Sequence, residues 1–187
     1  MAAADDVPLP GLNLEDLELR RIEPGDDFLL RTATWLNANW VGERLSFRDV
    51  QDEPRLRHYA EFRPRRGDFG WVAHSGDAPV GVAWCLFLPG SDPGYGFVAD
   101  GVPELSICVL PGYRGLGVGA HLLEATLEEA ERLCVTRVSL SVEHGNPAIA
   151  LYRRTGFTPV PGAAEGTMVV TLPRADGLAD VGGPAPR

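Results

Sequence analysis

Short apolar runs separated by polar turns recur along most of the chain, and their spacing predicts alternating strands and helices. Residues 17–22 alternate apolar and charged positions, the pattern of an outer strand. Pro24-Gly25-Asp26 turns into a helix that runs through Leu36 toward Trp40, and residues 52–62 read as a second, shorter helix. Residues 69–73 and 80–88 form strands of an antiparallel meander, split by a turn at Gly76-Asp77. Residues 89–103 make a long loop rich in Gly, Pro and Asp. A strand over 104–109 leads into the longest helix, 119–133. There Leu122, Leu123, Thr126, Leu127, Ala130 and Leu133 fall on one stripe at i, i+3 and i+4. A strand over 137–142, a short helix after Asn146, a strand near Thr158 and a last strand over 167–172 complete the order.

There is no internal repeat and no linker that would split the core. One α/β domain over residues 14–172 follows, with a mixed sheet that is antiparallel at first. Its 104–109 and 137–142 strands run parallel across the long helix. Residues 1–13 and 173–187, rich in Pro, Gly, Ala and Asp, read as tails.

The candidate chemistry begins at residues 105–120, LSICVLPGYRGLGVGA. A strand turns there into a helix through Arg114, Gly115, Leu116, Gly117, Val118 and Gly119. Alternating glycines bare a row of backbone N–H groups, and the following helix adds its free N-terminal donors and the positive end of its dipole. This is a cradle for a phosphorylated ligand. Ala120-His121 stands where a nucleotide-triphosphate loop needs Lys-Ser/Thr. The GxGxG spacing is one register away from a dinucleotide fingerprint, although Glu143 does end the next strand. A tight turn without any ligand is the alternative.

Downstream, Asn146 reads as an N-cap, Pro147 as the first helical position and Gly156 as a left-handed stop with Phe157 behind it. Ala148, Leu151 and Tyr152 share one helix face. Taken alone, Tyr152 reads as a core tyrosine.

Together the two segments resemble the GNAT family of N-acetyltransferases. Arg114, Gly117 and Gly119 match its R/Q-x-x-G-x-G/A signature. Ala148, Leu151, Tyr152, Gly156 and Phe157 match the companion signature N-x-x-A-x-x-L-Y-x-x-x-G-F from its alanine onward. Asn146 departs from that pattern, standing one residue closer to the alanine. The resemblance is strongest from about 104 to 172 and weaker over 17–103.

It implies a single GNAT-like domain whose two central parallel strands splay apart and whose helices flank the sheet. It also implies acetyl-CoA as the donor. Backbone groups of Ile107, Cys108 and Val109 would pair with the pantetheine arm, and the N–H groups of 114–119 would hold the pyrophosphate. Tyr152 would be the acid for the departing thiolate. Asn146 would orient the cofactor arm or simply cap its helix. The reaction implied is direct attack of a primary amine in a ternary complex, the acceptor being a small molecule or a peptide. A non-catalytic acyl-CoA-binding or regulatory domain on the same scaffold is the competing reading.

Such a reaction needs a base. Glu104, at the start of the cofactor-edge strand, is the first candidate, set against an ordinary strand-end carboxylate; Glu143 is the second. The acceptor pocket is expected among Trp35, Asn39, Trp40, Trp84, Tyr95 and Phe97, with Trp84 expected in the core.

Composition narrows the partners. With 187 residues and 44% apolar residues, the chain is long enough for one full core. A net charge of −9 argues against nucleic acid and suits either a cationic amine or plain solubility. No apolar run reaches membrane-span length, and MAAADDVPLPG lacks the marks of a secretory signal. Cys85, Cys108 and Cys134 are odd in number and read as buried thiols, with no metal site and a cytoplasmic setting. A homodimer is compatible with all of this.

Overall fold

The structure is a computed structural model and describes residues 12–173. The 1–11 and 174–187 portions of the expected tails lie outside the described residues. Seven strands form one sheet in the order β1-β2-β3-β4-β5-β7-β6. They are β1 (Leu17–Arg21), β2 (Phe69–Ser75), β3 (Ala78–Leu86), β4 (Glu104–Val109), β5 (Arg137–Ser141), β6 (Thr158–Pro159) and β7 (Thr167–Thr171). Every neighbouring pair is antiparallel except β4 and β5, which run parallel. The helices are α1 (Asp27–Ala38), α2 (Phe47–Asp52), α3 (Pro54–Arg57), α4 (Val118–Arg132) and α5 (Ala148–Arg154).

Period-2 alternation sends successive strand residues to opposite faces. Val72, Val82, Trp84 and Cys108 pack with Leu30 and Ala33 of α1. Ala73, Ala83, Cys85 and Leu105 pack with Leu122, Leu123 and Ala130 of α4. The helical stripe read from the sequence is thus the buried face of α4. Leu133 lies beyond that helix and is exposed.

The single helix expected over 52–62 is not one element. Ser46 and Asp49 form a capping box that starts α2 earlier, at Phe47. Pro54 has no N–H with which to continue α2, so the chain restarts there as α3, with the Glu53 carboxylate accepting from the Arg55 N–H at 3.3 Å. A 3-10 turn over His58–Ala60 follows and carries Tyr59 inward.

The parallel pair is the structural key. β4 and β5 share one register pair, Glu104 with Ser139, supported by a 3.0 Å bond from the Ser139 N–H to the Pro103 carbonyl. Past that point they part. The 89–103 loop packs its backbone directly on β5: a Cβ at Gly96 would collide with the backbone at Leu140 and Ser141. Only glycine fits this approach.

Candidate functional site

The gap between β4 and β5 opens into a cleft of about 1070 Å³. It runs from the 114–119 turn, past Tyr152 and Asn146, to Glu104, Tyr59 and Trp84.

At one end, Gly112, Gly115 and Gly117 adopt φ of 88°, 74° and 91°, a left-handed backbone that lets the chain double back before α4. Gly117 caps α4 through its backbone alone. No side chain caps this helix, and no acidic residue occupies its first turn. The positive end of α4 therefore stays open to an anion. The Val118 side chain is buried in the core, and Leu116 is half-buried, so their part in the cradle is confined to the backbone. Arg114 donates from Nε to the Val109 carbonyl at 3.1 Å, tying the turn to the end of β4.

Along β4 the backbone faces alternate. The Leu110 N–H bonds to Val80 on one side, and the Pro103 carbonyl bonds to Ser139 on the other. Antiparallel alternation then turns the peptide groups of Ile107 and Val109 toward the gap, and those of Cys108 toward β3. Cys108 also lines the cleft. Burial pushes its thiol up to about 12, against the pull of the Arg114 charge.

Tyr152 is buried, edge-to-face with Phe157 at 5.9 Å, and borders the cleft. Burial, and then the neighbouring Cys108, raise its phenol above the usual value. Asn146 accepts the Ala148 N–H on Oδ1 at 2.9 Å, and its carbonyl accepts from Ile149. The helix itself begins one residue later than expected: α5 starts at Ala148 with Pro147 at its N-cap position and no side-chain cap, so Asn146 forms a turn ahead of the helix and lines the cleft.

Glu104 is 4% exposed. Its Oε1 accepts from the Tyr59 hydroxyl at 2.6 Å and from the Gly96 N–H at 2.9 Å. Its Oε2 is buried with no hydrogen-bond partner, facing the Gly94 backbone, where a Cβ would overlap it. Burial raises the carboxyl above the ordinary range, and the two hydrogen bonds pull it partly back. Glu143 has the opposite setting. The Trp40 indole donates to it at 2.7 Å and the Arg44 guanidinium sits at 3.1 Å, and together they hold it below the usual range.

Of the acceptor residues read from the sequence, Trp40, Trp84 and Tyr95 line the cleft. Trp84 is fully buried, as expected of a core residue, with its indole donating to the Tyr59 carbonyl at 2.8 Å. Trp35 and Asn39 instead fasten the loop after α1: both donate to the Leu45 carbonyl, and Asn39 Oδ1 accepts from the Arg44 and Leu45 N–H groups. The sequence reading missed Tyr59 and Arg44. Tyr59 was hidden inside a helix that the chain does not form. The one signal for it was an aromatic next to Pro54-broken helical pattern. Cys85 and Cys108 are buried and free, but Cys134 is exposed at φ 58°, just past the end of α4, which corrects the expectation of three buried thiols. Among the described residues no cluster of His, Cys, Asp and Glu could hold a metal, and no helix is long and apolar enough to cross a membrane.

Comparison with known proteins bears on the family and the fold. The model of the acetyltransferase (GNAT) family matches residues 31–157, more than half of the chain. Among curated proteins none matches in sequence. Among solved structures, a GNAT-family acetyltransferase from Staphylococcus aureus Mu50 superposes with a TM-score of 0.62 at 17% identity, covering 84% of this chain and 99% of that one. The Salmonella typhimurium protein yncA, solved with its cofactor acetyl-CoA, gives 0.57 at 21% identity, covering 87% and 97%. A ribosomal-protein-alanine N-acetyltransferase from Brucella melitensis gives 0.58 at 26% identity, covering 83% and 99%.

Proposed function

This chain belongs to the GNAT acetyltransferase family, and on that premise we propose that it transfers an acetyl group from acetyl-CoA to a primary amine, in a small molecule or a peptide. The observation that carries the proposal is one cleft with an uncapped, glycine-lined helix N-terminus at one end and a buried, partly unsatisfied carboxylate at the other. The acetyl-CoA of the Salmonella relative and the alanine N-acetylation named for the Brucella relative point the same way.

Acetyl-CoA supplies the activated acetyl thioester. The backbone N–H groups around Gly115, Gly117 and Gly119 would hold its phosphates, with the α4 dipole behind them. The gap-facing peptide groups of Ile107 and Val109 would hold its extended arm, and the Val109 N–H would serve as a donor to a carbonyl oxygen. Glu104 would take the proton that an ammonium must lose before it can attack; its raised pKa brings it nearer to working pH than an ordinary carboxylate. Tyr152 keeps its phenolic proton at neutral pH, because burial raises its pKa, and would give it to the departing sulfur.

Transfer is direct. The one sulfur on the cleft, Cys108, is a thiol at neutral pH, and a nucleophile requires the thiolate. The test is a thermal-shift panel with acetyl-CoA, longer acyl-CoAs, NAD and ATP, followed by a screen of amine acceptors. Stabilisation by acetyl-CoA with acetylated product supports the reading. Binding without turnover on any amine would make the chain a binding domain. Preference for NAD or ATP would overturn the cofactor.

A further inference from the structure

Tyr59 stands at a junction. It is buried on the 3-10 turn after α3, its hydroxyl donates to Glu104 Oε1 at 2.6 Å, and its hydroxyl oxygen accepts the Tyr95 N–H at 2.7 Å. Its ring is stacked on Tyr95, with centroids 6.3 Å apart and planes 3° apart. The next peptide N–H along the loop, that of Gly96, bonds to Glu104 Oε1. The phenol, two loop amides and the carboxylate therefore close a ring of hydrogen bonds. That ring saturates Oε1 and leaves Oε2 as the oxygen with no donor.

We propose that Tyr59 is a positioning residue for acetyl transfer: through one hydroxyl it fixes the Glu104 carboxylate against the 94–96 loop and sets the charge that this carboxylate carries. The inference rests on the reading of Glu104 as the base. The titratable groups around the carboxylate are Tyr59 from the turn, Tyr95 from the loop and Cys85 from β3, whose thiol is raised by burial, then by the Asp68 charge and the Glu104 charge. Behind the Tyr59 ring lies His58, with ring centroids 4.6 Å apart, bonded through Nδ1 to Asp92 at 3.1 Å. Tyr59 stays a phenol, since burial and the adjacent carboxylate both raise it. It is therefore a standing donor. Loss of that donor leaves the Gly96 N–H alone to favour the ionised form.

The experiment follows Glu104 directly. The side-chain carboxyl of Glu104 is titrated by carbon-13 NMR in the protein without cofactor, in wild type, in Tyr59→Phe and in a protein carrying 3,5-difluorotyrosine at position 59. Rate profiles against pH are measured on the same three proteins. Tyr59→Phe keeps the ring and its stacking. It is expected to move the Glu104 titration up by about one unit, a tenfold loss of carboxylate below the midpoint. The acid limb of the rate profile should move with it. Difluorotyrosine, a stronger donor of the same shape, is expected to move both downward. It keeps the hydroxyl, so it remains informative if the Phe variant folds poorly. An unmoved Glu104 titration in both variants overturns the proposal. A titration that moves while the rate profile stays fixed overturns the catalytic role of the pair. A wild-type profile in Glu104→Gln would remove the base reading on its own, separately from anything seen at Tyr59.

Discussion

Leu14 lies against Gly117: a Cβ on that glycine would come within 2.8 Å of Leu14 Cδ1. The 3-10 turn Leu14–Asp16 before β1 therefore rests on the 114–117 turn, and Gly117 and Gly119 answer to different constraints. Gly117 is held by its left-handed φ of 91° and by Leu14. Gly119 lies within α4, and a Cβ there would meet only ordinary contacts with Val109 and Leu151, the nearer at 3.4 Å. Gly119→Glu should fold and lose acetyl-CoA affinity by at least about tenfold in calorimetry, because a carboxylate then occupies the anion site. Gly119→Ala should stay within about threefold of wild type. Gly117→Glu should lose stability as well as binding, its strain alone costing about 1–3 kcal/mol. Undiminished affinity in folded Gly119→Glu would remove the phosphates from this turn.

Tyr152→Phe keeps the packing on Phe157 and removes the proton. Turnover should fall by about 10²-fold or more, while the Kd for acetyl-CoA stays within about twofold. Turnover at the wild-type level would make Tyr152 a core residue and no more.

The β4–turn–α4 unit and the α5 helix were legible because their signals are local. An apolar run, left-handed glycines, the Asn146 turn onto the Ala148 N–H and the Gly156 stop each act within a few residues. The Glu104 environment was not legible in the same way. Its partners, Tyr59 and Gly96, come from a turn and from a loop without regular structure, and only tertiary packing brings them to β4. The error over 52–62 had the same root: apolar spacing suggested one helix, while Ser46, Asp49 and Pro54 divide the segment by capping and by a missing N–H. Trp35 and Asn39 were read as pocket residues from their type. Their role in fastening Leu45 depends on contacts that no spacing rule reveals.

Glu143 separates the two carboxylates that the sequence offered as bases. Trp40 and Arg44 hold it ionised below the ordinary range, so it brings no acid limb to the rate profile near neutral pH. Glu143→Gln should leave that limb in place. The Arg44–Glu143 pair is about half exposed on both sides, so Arg44→Ala should cost no more than about 1 kcal/mol in a denaturant titration. Loss of the acid limb in Glu143→Gln, with its retention in Glu104→Gln, would exchange their roles.

Glu104 should show a trade between stability and rate. Its folded-state carboxyl is raised chiefly by burial, so the folded protein holds this proton more tightly than the unfolded chain does. The stabilisation is complete below the ordinary carboxylate range and is lost as pH rises through the raised folded value. Above that value the ionised, buried carboxylate is a cost to folding. Glu104→Gln keeps an oxygen for the Tyr59 and Gly96 donors, and puts an amide where Oε2 has no partner. Its Tm should exceed that of wild type at pH 7 by about 2–4 °C, the response of a domain of this size to about 1 kcal/mol. The two melting curves should converge near pH 4. Turnover should move the other way: lower at neutral pH, without the acid limb, and partly recovered at high pH as free amine accumulates. A Tm that falls at pH 7, together with an unchanged rate profile, would return Glu104 to an ordinary strand-end carboxylate.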